Sequence, residues 1–234
     1  MPCSLESLNA AVDRRIARGD YRGALELPRA FVAQRADTMN ALLIEINLAE
    51  AEYNLGRWSD AWDRLRGLDP LAAAFPIVRA GLAQQRAWIA AHIGRADEAL
   101  HHWHRTDLDD LPPRYHAEYF FTGAVTQMAA GDLQGAQRCA DSGARVATRP
   151  SSRRNALAIR GRVAAARHQW PEAERLFRAA ALHPYRGQGG DALLFWGDAL
   201  SRLGRFEDAR RAYALASERD PQSESAQLAR LRGA

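Results

Sequence analysis

The chain has 234 residues, 28 acidic side chains against 32 basic ones, and a formal net charge of +4. Every one of those 32 cations is arginine, which excludes chemistry that needs a side-chain amine: a Walker-type phosphate loop, a protein-kinase site or Schiff-base catalysis. Two cysteines, Cys3 and Cys139, cannot make a disulfide framework, and no long apolar run is present, so a cytoplasmic protein with no membrane span and no lipid anchor at Cys3 is expected.

One short pattern, glycine–x–aromatic or apolar–x–x–alanine, punctuates the chain. Its copies start at Gly19, Gly56, Gly94, Gly131, His168 and Gly204, and their alanines (Ala24, Ala61, Ala99, Ala136, Ala173, Ala209) lie 37, 38, 37, 37 and 36 residues apart. Each copy sits between two apolar stretches of helical spacing, so each unit is a helix pair that buries its apolar face against neighbouring units.

In chain order, the units are about 5–39, 40–76, 77–114, 115–152, 153–189 and 190–221. The first carries Pro28 inside its second helix, where a proline removes a hydrogen bond and costs about 3 kcal/mol, so a bent or short helix is predicted there. The second, third and fourth place Leu65, Trp103 and Ala140 at the same point of their second helices. The fifth keeps Gly161, Trp170, Ala173, Phe177, Ala180 and Pro184 but has His168 where the others have the turn glycine. In the sixth, Leu193, Trp196, Gly197 and Leu200 precede Gly204, Phe206, Ala209, Tyr213 and Ala216 follow, and Asp220-Pro221 ends the second helix. Residues 222–234, with Ala226, Leu228, Ala229 and Leu231, read as a short amphipathic capping helix. Residues 69–76, 106–114, 147–153 and 183–191 read as connecting segments, the last being glycine-rich without the strand or lysine of a phosphate loop.

The sixth unit, with Gly197, Gly204, Phe206, Ala209, Tyr213, Ala216 and Pro221, resembles a tetratricopeptide repeat, and the resemblance extends over residues 5–221. It implies an all-α fold: one right-handed superhelical solenoid, 1–234, of about six antiparallel helix pairs plus the C-terminal cap. Packing physics agrees, because small residues where helices cross allow close approach and an aromatic beside them fills the hole.

The resemblance further implies that first helices line a concave groove. Its residues would be Asn47, Glu50, Tyr53 and Asn54 in the second unit, Gln84, Gln85, Trp88 and His92 in the third, and Phe121, Thr122, Val125 and Met128 in the fourth. Asn47, Gln85 and Thr122 would form a stripe able to bond the main chain of an extended peptide, with Tyr53, Trp88, Phe121 and Met128 as anchors. The same residues could instead be solvated polar groups or packing between helices. A clamp for a C-terminal carboxylate is not matched, because the first unit has Asn9 and Asp13 where that clamp needs a basic residue and asparagine.

Residues 138–186 hold eleven arginines against Asp141, Glu172 and Glu174. Arg153, Arg154, Arg160, Arg162 and Arg167 are read as a basic face: solvated, or matched to an acidic protein segment, with nucleic acid last. His101-His102-Trp103-His104 offers only two convergent imidazoles on a helix, so no metal and no cofactor is expected. Cys139 reads as a packing residue, no nucleophile constellation is present, and no enzymatic activity is expected. The function that follows is a scaffold or adaptor holding a peptide or protein segment. The alternatives are a self-associating structural protein and a receptor for a small peptide or acidic ligand.

Overall fold

A computed structural model describes residues 4–27, 38–185 and 190–233. Fourteen α-helices and no strand occur among them, and the fold is an all-α helical solenoid. The chain divides into two compact units, Met1–Pro112 and Pro113–Ala234.

The N-terminal unit contains α1 (Leu5–Ala17), α2 (Tyr21–Leu25), α3 (Met39–Asn54), α4 (Trp58–Leu65), α5 (Asp69–Ala72), α6 (Pro76–His92) and α7 (Ala96–His104). Ser4 opens α1 in a capping box with Ser7, and Thr38 caps α3 through Ala41 N–H at 3.3 Å. Leu8, Val12, Ile16, Tyr21, Ala24, Ile44 and Leu48 form one core, and Leu42, Ala61, Leu65, Val78, Leu82 and Ile89 the next. The short α5 stands where a connecting segment was expected; Pro70 at its first turn favours it, and Arg86 of α6 bonds both Asp69 (2.7 Å) and the Leu65 carbonyl. Pro28 lies outside the described residues.

The C-terminal unit opens with a single 3₁₀ turn, Pro113–Tyr115. It continues through α8 (His116–Ala129), α9 (Leu133–Val146), α10 (Pro150–Ala166), α11 (Trp170–Ala181), α12 (Gly190–Arg202), α13 (Phe206–Arg219) and α14 (Glu224–Gly233). The last of these is the expected cap: Ala226 and Ala229 are buried, and Ser223 bonds Ala226 N–H at 3.1 Å. Residues 186–189 of the glycine-rich segment lie outside the described residues.

The size pairing predicted at helix crossings is present. A Cβ on Gly161 would come within 2.7 Å of the Phe177 ring, and one on Gly197 would collide with Tyr213. In the fourth unit the pairing is reversed, because the ring comes from the first helix and the glycine from the second: Phe121 lies over Gly143.

All six pair-joining turns close the same way. The residue after the glycine donates its N–H to a carbonyl five residues back, as in Arg57 to Glu52 (2.9 Å), Arg95 to Ala90 (2.8 Å), Asp132 to Gln127 (2.9 Å) and Gln169 to Ala164 (2.9 Å). That closure needs a left-handed residue, and Gly19, Gly56, Gly94, Gly131 and Gly204 supply φ between 73° and 81°. His168 adopts φ 58°, a conformation that disfavours a Cβ by about 1–2 kcal/mol. We predict that His168→Gly raises stability by about 0.5–1 kcal/mol after the added backbone entropy of glycine is set against the relief. Thermal unfolding followed by circular dichroism should show a midpoint about 1–3 °C higher; an unchanged or lower midpoint contradicts it.

Candidate functional site

Helix α3 buries Leu42, Ile44, Ile46, Leu48, Ala49 and Ala51; of its half-buried residues Leu43, Asn47, Glu50 and Asn54 fall on one line, with Tyr53 beside it and Glu45 bonded by Arg64. Steps of four, three and four residues keep a helix face aligned. Helix α6 repeats the line with half-buried Gly81, Gln85, Trp88 and His92, flanked by Gln84, while the matching places on α1 hold half-buried Ala10 and exposed Glu6, Asp13 and Ala17. Of the expected groove residues, Asn47, Glu50 and Asn54 of the second unit and Gln85, Trp88 and His92 of the third therefore fall on corresponding stripes of adjacent first helices, and Tyr53 and Gln84 lie beside them.

Direct contacts join the stripes. Asn47 donates from Nδ2 to Asn9 Oδ1 at 2.9 Å, tying α3 to α1, and Asn54 donates to the Glu50 carbonyl at 2.8 Å. Between α3 and α6 the link is aromatic. The Trp58 indole, at the start of α4, is stacked between Tyr53 (centroids 5.4 Å, planes 9° apart) and His92 (4.9 Å, 6°). His92 in turn lies 4.6 Å from Trp88, and its Nδ1 is 2.8 Å from the Trp88 carbonyl. A carbonyl only accepts, so Nδ1 carries the proton in that bond. Each stacked pair adds roughly 0.5–1.5 kcal/mol beyond area burial, and four rings locked this way are pre-organised.

Trp58 was not among the expected groove residues. Its signal was its place two residues after the turn glycine Gly56, which sets it against the end of the preceding helix where Tyr53 sits.

The fourth unit differs. Phe121, Thr122 and Val125 are only 4%, 3% and 3% exposed, so they are packing residues of the C-terminal unit and do not present a groove surface. The cause for Phe121 is the reversed size pairing with Gly143, which draws the ring between α8 and α9. Met128 is half-buried at the end of α8.

The arginine-rich stretch is not one basic face. Arg154 is buried and donates to Asp191 (2.8 Å) and Asn155 (3.2 Å); Arg160 pairs with Asp141 (3.3 Å), Arg149 with Glu118 (2.7 Å), and Arg175 with Glu172 (2.6 Å). Glu118 and Asp191 reach these arginines from outside residues 138–186, so the excess of positive charge along the chain is larger than the excess in space. Arg162 lies over the Phe195 ring at 5.5 Å, while Arg153 and Arg167 are exposed.

At the histidine run, Trp103 is buried, His101 and His104 are exposed, and His102 packs edge-on to Trp62 with ring centroids 5.9 Å apart. Among the described residues no group of three potential ligands could hold a metal ion. Burial, reinforced by Arg86, His101 and Arg105 against Asp69, pushes the His102 pKa down to about 4. The unfolded chain takes up this proton below about pH 6.5 and the folded chain does not, so stability is full above that pH and falls as the pH drops toward 4. With the ring half-buried, the loss attributable to His102 should be about 1–2 kcal/mol. Urea unfolding at pH 7 and pH 4.5 should show that the drop shrinks by this amount in His102→Gln. An equal drop in both proteins would remove His102 as the cause.

No described helix is long and apolar enough to cross a membrane. No family model matches the chain, and no curated protein matches it in sequence. Solved structures do share its fold. A chain of the APC/C hetero-tetramer Cut9–Hcn1 aligns with TM-score 0.65 at 14% identity, over 98% of this chain and 43% of that one. The Rap protein complexed with competence and sporulation factor aligns with TM-score 0.65 at 14% identity, over 93% of this chain and 77% of that one. PilW, a widely conserved type IV pilus biogenesis factor, aligns with TM-score 0.60 at 15% identity, over 97% of this chain and 99% of that one. This chain thus spans less than half of the Cut9–Hcn1 chain it matches. Fold, turn closure and size pairing together define a tetratricopeptide-like helical solenoid.

Proposed function

We propose that this chain is a non-catalytic protein-interaction scaffold, an adaptor that holds an extended peptide or protein segment along the stripes of α1, α3 and α6. The observation that carries the reading is the pre-formed block of Tyr53, Trp58, His92 and Trp88 beside Asn47, Asn54, Gln84 and Gln85. It sets aromatic surface next to amide groups that both donate and accept, the combination an extended main chain needs. The fold supports it in a general way: the Rap protein was solved with a bound factor and the Cut9–Hcn1 chain within a hetero-tetramer. The paired arginines of residues 138–186 favour this reading over an acidic or nucleic-acid ligand.

Affinity capture with the intact chain, comparing wild type with Trp88→Ala and with Asn47→Ala/Gln85→Ala, tests it. Loss of the aromatic anchor should weaken partner binding at least about thirtyfold, and loss of the amides by less. Partners retained equally by all three proteins would place the binding surface elsewhere.

A further inference from the structure

Arg64 and Arg86 direct their donors to Glu45, Glu52, Asp69 and the Leu65 carbonyl, so the inward cations of the N-terminal unit are met by acceptors of their own unit. A row of amides on the first helices is not met in this way. Asn9 of α1, Asn47 of α3 and Gln85 of α6 are all half-buried and stand 38 residues from one to the next. Asn47 donates to Asn9 at 2.9 Å; this is the one side-chain hydrogen bond that either amide makes among the described residues, and Gln85 makes none there. A single bond between two primary amides leaves one carbonyl and one amino group over, whichever way the two amides are turned. Donor and acceptor thus stand side by side at the join of α1 and α3, where solvent is reduced and an unmet polar group is costly.

We infer that the segment held on α1, α3 and α6 presents an asparagine or glutamine side chain to the Asn9–Asn47 pair and an apolar or aromatic one to Trp88. A primary carboxamide carries an N–H and a C=O on one edge. It can therefore accept from one of these amides and donate to the other, closing a ring of three. A trans peptide group carries the two on opposite edges and meets only one of them. A carboxylate only accepts and a guanidinium or ammonium only donates, so each leaves one of the two groups unmet. The inference rests on the groove reading above and adds to it a preference for a neutral side chain. Gln85, next in the row, is left for the main chain of the same segment.

The test uses the full chain and three fluorescein-labelled heptapeptides, Gly-Phe-Gly-X-Gly-Phe-Gly with X as Gln, Glu or Met, read by fluorescence anisotropy. The rings stand two residues from X, on the same face of an extended chain. The Gln peptide should bind about tenfold tighter than either of the others, which match it in length and lack its paired donor and acceptor. Its lead over the Met peptide should hold to within about twofold between about 50 and 500 mM salt, because no ion pair is made. In Asn9→Leu/Asn47→Leu, which removes both amides together and strands neither, the Gln and Met affinities should converge to within about twofold. Trp88→Ala should weaken all three peptides alike. Circular dichroism checks that each variant keeps its helix content, and the wild-type comparison stands without any variant. Binding that depends on Trp88 with no lead for Gln would overturn the amide specificity alone. A lead that survives Asn9→Leu/Asn47→Leu, or that disappears in high salt, would do the same. Failure of all three peptides to bind would overturn the groove reading with it.

Discussion

Arg64→Ala should lower the stability of the N-terminal unit by about 3–5 kcal/mol, more than any surface charge in the chain. The guanidinium is 12% exposed. Its Nε and Nη2 donate to both oxygens of Glu52 (2.8 and 2.6 Å), and its Nη1 donates to Glu45 (2.6 Å). Burial alone would lower its pKa, yet the hydrogen bonds and charges of Glu52 and Glu45 outweigh that and hold it above the ordinary arginine value. The Glu52 side chain is 6% exposed, so alanine at 64 strands a buried carboxylate with nothing to neutralise it. Removing the whole network should behave differently from breaking it. In Glu45→Gln/Glu52→Gln/Arg64→Met no charge is stranded, and stability should return to within about 1–2 kcal/mol of wild type. Urea unfolding of the three proteins at pH 7 decides the matter. A single-variant loss below about 1 kcal/mol would mean that water enters the network readily.

Phe177→Ala should cost about 3–5 kcal/mol, the usual range for deleting a buried phenylalanine ring. The ring is 2% exposed, fills the space above Gly161 and lies 5.5 Å from Phe195 of the next pair. The opposite change at the same contact, Gly161→Ala, should cost about 1–3 kcal/mol by overpacking. Because both act on one hole, Gly161→Ala/Phe177→Leu should be less destabilised than the two single changes summed, whereas independent sites would add. Native-state hydrogen exchange gives a second readout. Units of a solenoid stabilise one another only through neighbours, so protection in Phe177→Ala should fall first in α10 to α13. Strict additivity in the double variant would contradict a shared hole.

Much of this fold is legible in the sequence for a simple reason: the features that repeat are those that backbone geometry imposes. A left-handed turn selects glycine, a close crossing selects a small residue, and both recur at one spacing. Even His168 betrays its conformation by standing where five glycines stand. Features that depend on which partner a side chain finds were less legible. Phe121 has the spacing of a groove residue, and only its pairing with Gly143 shows that the ring is inside. The arginines of residues 138–186 form a basic block along the chain and a set of ion pairs in space, because Glu118 and Asp191 arrive from other helices. Trp58 carries the turn motif, and its second role between Tyr53 and His92 follows from ring orientations that spacing alone does not specify.

The buried arginine networks give the molecule a built-in protease assay. Trypsin cleaves after lysine or arginine, and here every potential side chain is arginine. Arg64, Arg86 and Arg154 have side chains only 12%, 9% and 6% exposed and are engaged by carboxylates, so cutting after them requires their helices to open. Exposed sites such as Arg66 and Arg167 are not shielded in this way. The order in which the shielded bonds appear in a digest therefore ranks the opening free energies of the second, third and fifth helix pairs without any label or substitution.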